Sequence, residues 1–346
     1  MPKTLVSSAS FAKRLLAWQK QHGRHDLPWQ ANADPYRVWL SEIMLQQTQV
    51  VTVIPYFTQF VQRFPTVSDL AQASLDEVLG MWSGLGYYSR ARNLHRCSQV
   101  VVSEHGGVFP TSKDALQALP GIGPSTAAAI ASLCFAQREA ILDGNVKRVL
   151  TRVLGFGHDL SMATHEKALW QLAHEVLPTR EAEMPRYTQG MMDLGATLCT
   201  RSRPACERCP MLGLCVAQQQ GKPTAYPVKL RKVKRSAESL WLLCARNEDG
   251  QALLTQRPDS GVWASLYTPP LFDSEQALLA ALPPALRGKV SMAPAFVHVL
   301  THKDLHLHVA HLQLSQATTL AGGTWFARKA WSALGLPAPV RKLLQT

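Results

Sequence analysis

The stretch Leu119-Pro-Gly-Ile-Gly-Pro-Ser-Thr126, which runs into three alanines and an isoleucine, predicts two helices joined by a tight hairpin. A helix ends before Pro120, Gly121 and Gly123 permit a sharp turn, and a second helix begins near Ser125. The first amides of a helix have no partner inside it, so they bind phosphate oxygens without a charged side chain. The stretch therefore indicates a phosphate-binding hairpin.

The charge of the chain supports a polyanionic partner. Its 346 residues include 36 Lys and Arg against 24 Asp and Glu, a formal net charge of +12. Up to Arg235 there are 27 basic and 17 acidic residues, a net of +10, whereas the remainder carries only +2. Nucleic acid is the first candidate for a partner of the basic part. The longest mostly apolar stretch, residues 127–136, is far shorter than the roughly 18 residues of a membrane span, which argues against a membrane protein.

Periodicity divides the chain into a mostly α domain and a small α+β domain. We predict a helical domain over 1–217, with a helix-hairpin-helix at 111–135, a basic linker at 218–235 and the α+β domain at 236–346. Two detailed expectations are a single helix from Pro35 toward Val53 and one strand over 290–300. The linker charges are either solvated or bound to a phosphate backbone. Residues 1–25 lack acidic side chains, as transit peptides do, but Ser10 and the apolar face behind it favour a helix.

Glu42 is the first candidate for chemistry, because its neighbours on the predicted helix are apolar. Val38, Trp39 and Leu45 lie at helical spacing from it, so poor solvation should raise its pKa toward neutrality. The alternative is an ion pair with a nearby arginine such as Arg37, and position alone favours that alternative. The amides and hydroxyl of residues 46–49 follow, and such groups hydrogen-bond base edges or simply cover a helix surface.

Asp143 precedes Gly144, Asn145 and a further predicted helix. An aspartate there is a preferred N-cap, which is a purely structural role, yet a capping carboxylate stays ionised at low pH and can also face a cation.

Four cysteines form the most specific pattern: Cys199, Cys206, Cys209 and Cys215 are separated by six, two and five residues. Four thiolates in so short a stretch enclose either zinc or an iron–sulfur cluster, and the spacing does not decide between them.

Seven ordered blocks of sequence resemble the adenine DNA glycosylases of the helix-hairpin-helix superfamily. They are Leu27-Pro-Trp29, residues 38–50, residues 84–93, the hairpin, residues 142–148, Met191-Met-Asp-Leu-Gly195 and the four cysteines. The resemblance implies a monofunctional base excision repair enzyme that hydrolyses the N-glycosidic bond of adenine mispaired with 8-oxoguanine or guanine in duplex DNA. It also implies a 4Fe-4S cluster on the cysteines, a monomer, and a bacterial cytoplasmic location.

The resemblance assigns roles to individual residues. Glu42 would protonate adenine N7, Asp143 would stabilise the developing sugar cation, and Asn145 would hydrogen-bond near Glu42. The residues implied to contact DNA or the opposing base are Gln47, Thr48, Leu85, Tyr87, Gly121, Gly123, Ser125, Thr301 and His302.

Two departures from related enzymes sharpen the prediction. Bifunctional relatives carry a lysine nucleophile where this chain has Ser125, so strand cleavage is not expected. The C-terminal part resembles a Nudix domain, but its glutamates Glu238, Glu248 and Glu275 are too dispersed to hold magnesium, so we expect lesion binding without hydrolysis. The alternatives are a bifunctional oxidised-pyrimidine glycosylase/lyase and a non-catalytic DNA-binding scaffold.

Overall fold

The computed structural model describes residues 8–230 and 234–345, which form two compact units. The first unit contains residues 8–68 and 96–230, and the second contains residues 69–95 and 234–345. The second unit thus recruits a segment that the sequence alone assigned to the helical domain. Arg231, Lys232 and Val233 of the predicted linker lie outside the described residues, and the predicted domain limits stay a prediction. Within the described ranges, no helix is long and apolar enough to cross a membrane.

Helices account for most of the chain before residue 220, as the periodicity predicts. They are α1 Ser8–His22, α2 Pro35–Leu45, α3 Val50–Arg63, α4 Val67–Gln72, α5 Leu75–Met81, α6 Ser89–His105, α7 Lys113–Ala118, α8 Pro124–Phe135, α9 Gly144–Leu154, α10 Ala163–Glu175, α11 Met184–Thr197 and α12 Val216–Gln219. Several begin at the caps that the sequence indicates. The Asp34 side chain accepts from the amide of Tyr36 at the start of α2, and Asp143 accepts from Val146 at the start of α9.

The expected single helix from Pro35 to Val53 is wrong, because the chain breaks after Leu45. Gln47 has a φ of 59°, the left-handed region that a helix cannot include. The amide of Thr48 bonds the carbonyl of Leu45 at 3.2 Å, which closes a turn before α3 begins at Val50. Glutamine is a good helix former, so tertiary structure overrides propensity here. The break converts residues 46–49 into a loop.

The core of the first unit packs α1, α8, α9 and α11 together. Phe11 and Leu15 of α1 are fully buried, and the ring of Phe11 meets Tyr187 of α11 edge to face with centroids 6.3 Å apart. This core supports the ends of α8 and α9, where the candidate site residues lie.

The second unit is built on a mixed sheet whose central pair is parallel. Its strands are β1 Ser236–Asn247, β2 Ala252–Gln256, β3 Tyr267–Thr268, β4 Leu271–Phe272, β5 Ser291–Met292, β6 Phe296–Val299, β7 Lys303–Leu314 and β8 Thr324–Phe326, with helices α13 Glu275–Ala280, α14 Pro284–Arg287, α15 Arg328–Ser332 and α16 Ala338–Gln345. β1 and β7 pair in register from Ser236 opposite Lys303 to Asn247 opposite Leu314. The main path runs β3-β2-β1-β7-β5, and β6 forms an antiparallel hairpin with β7.

The strand expected over residues 290–300 is divided into β5 and β6. Pro294 lies between them and has no N–H to donate, so the pairing with β7 is interrupted there.

Residues 69–95 belong to the second unit through specific contacts. A side chain on Gly80 would place its Cβ 2.0 Å from the carbonyl oxygen of Ala333, so only glycine permits this approach. The Tyr88 hydroxyl donates to the carbonyl of Leu336 at 2.7 Å, and Arg92 donates to that of Ala264 at 2.8 Å. The segment that carries Leu85 and Tyr87 is therefore held by the C-terminal residues.

Candidate active site

A cleft of about 1740 Å³ in the first unit brings together the three residues predicted to be catalytic. Glu42 enters its wall from α2, while Asp143 and Asn145 enter from the start of α9. Gln47 and Thr48 of the 46–49 loop also line the cleft, as does Ser125 at the first turn of α8. The sequence predicted the role of each residue separately, and the fold places them around one cavity.

Glu42 has the environment that its apolar neighbours predict. Burial, and secondarily the charge of Asp143, raises the pKa of its carboxyl from 4.5 to about 8. The ion pair considered for it does not form, because the Arg37 guanidinium pairs instead with Asp34 at 3.7 Å. Below about pH 8 this side chain therefore holds a proton that it can donate inside the cleft.

Asp143 combines the capping role with a position open to the cleft. Its Oδ1 accepts from the Val146 amide at 2.8 Å. Desolvation raises the pKa of Asp143, and the amides of Val146 and Asn145 with the charge of Arg148 oppose that rise. The Ser125 hydroxyl accepts from the amide of Leu142 at 3.0 Å, which ties the hairpin to the residue before Asp143.

Arg148 connects the catalytic side of α9 to the cysteine segment, and sequence reasoning did not single it out. Its Nη2 donates to Asn145 Oδ1 and to the carbonyl of Gly195, each at 2.7 Å, and its Nε donates to the carbonyl of Cys199 at 2.7 Å. A Cβ on Gly195 would lie 2.8 Å from that of Asn145, so glycine is required for this packing. The arginine fixes the orientation of the Asn145 amide.

An ion pair that the sequence analysis did not predict lies in the cleft wall at Arg24. Asp193 is fully buried, and its Oδ1 accepts from the Arg24 guanidinium at 2.7 Å and from the Gln189 amide at 2.8 Å. The main-chain amide of Arg24 donates to Oδ2 at 3.0 Å. Arg24 and Gln189 line the cleft. Asp193 was visible in the sequence only as part of a motif, because its partner is 169 residues away.

The hairpin has the form that its sequence predicts. Gly121 has a φ of 76°, Ile122 is buried beneath the turn, and Gly123 is the N-cap of α8. Both glycines are exposed, so a phosphate can approach the turn and the start of α8.

In the second unit, two further predicted residues meet each other. The hydroxyls of Tyr87 and Thr301 share a hydrogen bond of 2.8 Å. Tyr87 has a φ of 48°, and the Arg90 guanidinium lies 5.4 Å from the centroid of its ring while donating to the carbonyl of Leu85 at 3.2 Å. His302 is exposed beside Thr301. A tyrosine in a strained backbone conformation, held by an arginine, is a feature that marks functional loops.

The four cysteines line a small cavity in the first unit. Arg152 is only 2% exposed, and its guanidinium donates to Cys199 Sγ at 3.3 Å and to the carbonyls of Thr200 and Arg201 at 2.7 and 2.9 Å. A buried cation beside sulfur fits thiolates rather than thiols. Burial raises the pKa of the Cys209 thiol to about 12, and a bound metal would lower it.

Within the described residues, no set of three or more His, Cys, Asp or Glu side chains lies close enough together to hold a metal ion. The four cysteines supply the all-thiolate ligand set that both zinc and iron–sulfur clusters take.

Comparisons with sequence families agree with this geometry. Residues 40–175 match the family described as HhH-GPD superfamily base excision DNA repair protein. Residues 199–215 match the iron-sulfur binding domain of endonuclease III, so the chain contains an iron–sulfur binding domain. Residues 241–346 match a NUDIX domain. The two-part fold class predicted from the sequence is confirmed.

Solved structures share the helical fold. The structure of a thermostable thymine-DNA glycosylase has a TM-score of 0.55 and 28% identity, covering 62% of this chain and 97% of that one. A non-covalent endonuclease III–DNA complex has a TM-score of 0.52 at 21% identity over 63% of this chain and 99% of that one, which shows likeness of fold.

Relatives from bacteria and animals match this chain over both of its parts. The adenine DNA glycosylase of Buchnera aphidicola subsp. Acyrthosiphon pisum is 36% identical over 344 residues, which is 97% of each chain. The adenine DNA glycosylase of Homo sapiens is 35% identical over 99% of this chain and 75% of its own length. With such identity across both units, this chain belongs to the adenine DNA glycosylase family.

Proposed function

We propose that the protein binds duplex DNA and hydrolyses the N-glycosidic bond of adenine mispaired with 8-oxoguanine or guanine. The observation that carries this proposal is the carboxyl of Glu42, which stays protonated to about pH 8 in a cleft that also contains Asp143. A base inside a duplex cannot reach such a cleft, so the adenine must leave the stack, at a cost of a few kcal/mol that backbone contacts offset.

In the proposed reaction Glu42 donates its proton to adenine N7, and the bond between N9 and C1′ breaks as adenine departs neutral. The sugar becomes an oxocarbenium ion, which the Asp143 carboxylate stabilises, as in glycosidases with paired carboxylates. The Glu42 carboxylate then accepts a proton from a water that attacks C1′, which restores the starting state. Asn145, oriented by Arg148, hydrogen-bonds beside Glu42. No step requires an amine nucleophile.

Release of the base tests this function against its rivals. The protein is incubated with duplexes that contain adenine opposite 8-oxoguanine, guanine or thymine, and half of each reaction is treated with alkali to cut abasic sites. We expect cleavage only after alkali and only opposite 8-oxoguanine and guanine. A further duplex that contains thymine glycol serves as the substrate of the first alternative, and its cleavage without alkali would identify a bifunctional pyrimidine enzyme. Tight binding to all duplexes without any base release would identify a non-catalytic scaffold.

Ser125 should determine the absence of strand cleavage. Ser125→Lys is expected to introduce an amine into the cleft wall and to produce a Schiff base that borohydride traps on abasic DNA. Ser125→Ala is the matched control, since it also removes the hydrogen bond to the Leu142 amide. Trapping by the unmodified protein at the level of the lysine variant would contradict monofunctional chemistry.

We propose that the iron–sulfur group is a 4Fe-4S cluster held by Cys199, Cys206, Cys209 and Cys215. Such a cluster supplies a rigid, charged scaffold for the neighbouring loop. Protein from a native preparation should contain about four iron and four sulfide per chain, and Cys209→Ser should lose most of both. Cys97→Ser, a buried cysteine outside the loop, should keep them. Stoichiometric zinc without iron would disprove the assignment.

We propose that the second unit reads the base opposite adenine through Thr301 and His302. Gln47, Tyr87 and Leu85 would enter the stack around that base, and Thr48 would contact it. The shared hydrogen bond of Tyr87 and Thr301 supports this, because it places two polar groups at one point. Thr301→Ala should reduce the preference for 8-oxoguanine over guanine by about 1–3 kcal/mol in single-turnover rates. Thr324→Ala, an exposed threonine on β8, is the control. An unchanged preference in Thr301→Ala would refute the reading role of this loop.

The monomeric state and the cytoplasmic location stay predictions. Sedimentation of the protein alone and with one duplex equivalent tests the former.

A further inference from the structure

The loop between β6 and β7, residues 300–302, is held by hydrogen bonds from Arg235 and Ser236 to its three main-chain carbonyls. Arg235 donates Nη2 to the carbonyl of Leu300 at 2.8 Å and Nη1 to that of Thr301 at 2.9 Å. The Ser236 amide donates to the carbonyl of His302 at 3.1 Å. The path of this loop is therefore set by residues more than sixty positions away in sequence.

The same guanidinium also holds the strand that leaves the loop. It pairs with the carboxylate of Asp304 on β7, so one side chain spans both sides of the turn. The turn itself is closed by the amide of Leu300, which donates to the carbonyl of Lys303 at 2.8 Å. A planar guanidinium can donate to two adjacent carbonyls and a carboxylate at once, whereas a lysine ammonium cannot hold that geometry.

These contacts bear on Thr301, the side chain proposed above to read the opposing base. The Thr301 hydroxyl shares a hydrogen bond with Tyr87, and its direction depends on the Thr301 peptide whose carbonyl Arg235 holds. Arg235 itself remains partly exposed and contacts the loop through main-chain atoms. Its effect is thus on the position of the loop.

We infer that Arg235 is a positioning residue: it holds the Leu300–His302 loop so that Thr301 and His302 discriminate 8-oxoguanine from guanine opposite adenine. The inference rests on the reading role proposed above. The alternative is that Arg235 contacts a DNA phosphate directly. Such a contact would strengthen binding to every duplex equally.

Two substitutions in the intact protein separate these roles. Arg235→Gln removes both the positive charge and the planar set of guanidinium donors. Arg235→Lys keeps the charge but not that set of donors. We expect each to lower the ratio of single-turnover excision rates opposite 8-oxoguanine and guanine by roughly 3- to 10-fold, since charge-assisted bonds at a partly exposed site are of modest strength. Excision opposite guanine and the thermal unfolding midpoint should change little. Arg246→Gln, whose guanidinium donates to the carbonyl of Leu344, is the matched control and should keep the ratio.

Binding to undamaged duplex at several salt concentrations provides the second measurement. A positioning role leaves this affinity and its salt dependence unchanged in both variants. A phosphate contact would give a different result. Arg235→Lys would then keep the wild-type ratio of excision rates opposite 8-oxoguanine and guanine, and Arg235→Gln would bind undamaged duplex more weakly with a smaller salt dependence. That outcome would overturn the inference. An unchanged ratio in Arg235→Gln while Thr301→Ala loses it would overturn the inference alone. If neither Arg235→Gln nor Thr301→Ala altered the ratio, the proposed reading role of the loop would fail together with the inference.

Discussion

Glu42→Gln is expected to lower the single-turnover rate of adenine excision by roughly 10²–10⁴-fold, because the amide cannot donate the proton that makes adenine a neutral leaving group. Binding to the mispaired duplex should persist, since glutamine keeps the shape of the side chain and its hydrogen-bonding capacity. Glu175→Gln, an exposed glutamate on α10, is the matched control. Near-normal excision by Glu42→Gln would remove this residue from the mechanism.

The pH dependence follows from the same group. Because burial raises the pKa of Glu42 to about 8, the active protonated form predominates below that pH and is lost as the pH rises through it. The excision rate should therefore fall above about pH 8. This fall, the alkaline limb of the pH profile, should be absent from the residual activity of Glu42→Gln. The folded pKa lies above the unfolded value of 4.5, so folding at neutral pH requires uptake of a proton. Glu42→Gln avoids that cost and should unfold at the same or a higher temperature.

Asp143→Asn is expected to lower excision by roughly 10²–10³-fold or more, because it removes the charge that stabilises the sugar cation. Asparagine is also a preferred N-cap, so it can accept from the Val146 amide and preserve α9. Asp34→Asn makes the same change at the N-cap of α2 and serves as the control for stability. Both variants should unfold near the wild-type temperature, and only Asp143→Asn should lose activity.

The two carboxyls are coupled, which gives a further readout for this variant. Asp143 is the second cause of the raised pKa of Glu42, after burial. Its neutralisation should shift the alkaline limb of the residual activity to lower pH, while burial keeps that limb above the ordinary glutamate range. Loss of the fold in Asp143→Asn would instead mean that the aspartate serves mainly as a cap that asparagine cannot replace.

Features that depend on neighbours within a few residues were predictable from the sequence. The hairpin, the N-caps at Asp34 and Asp143, the cysteine spacing and the change from helical to strand periodicity each follow from local rules. The apolar neighbours of Glu42 are of the same kind and indicate a raised pKa, but position alone favoured an ion pair with Arg37, which the structure shows paired with Asp34 instead. Even here the local rules failed at Gln47, where the predicted helix is interrupted by a loop.

The partners of the functional residues depend on contacts between distant parts of the chain. Arg24 reaches Asp193 across 169 positions, Arg152 reaches Cys199 across 47, and Arg235 reaches Thr301 across 66. Periodicity and capping describe interactions over about one helical turn, so they cannot predict pairs of residues that lie far apart in the sequence. The sequence by itself therefore determined the chemistry available at Glu42, Asp143 and the four cysteines, because that chemistry depends on the residues themselves and their near neighbours. Tertiary structure alone decided which arginine contacts Asn145, Cys199 and Thr301, because a guanidinium donates to whatever acceptor the fold brings within hydrogen-bonding distance.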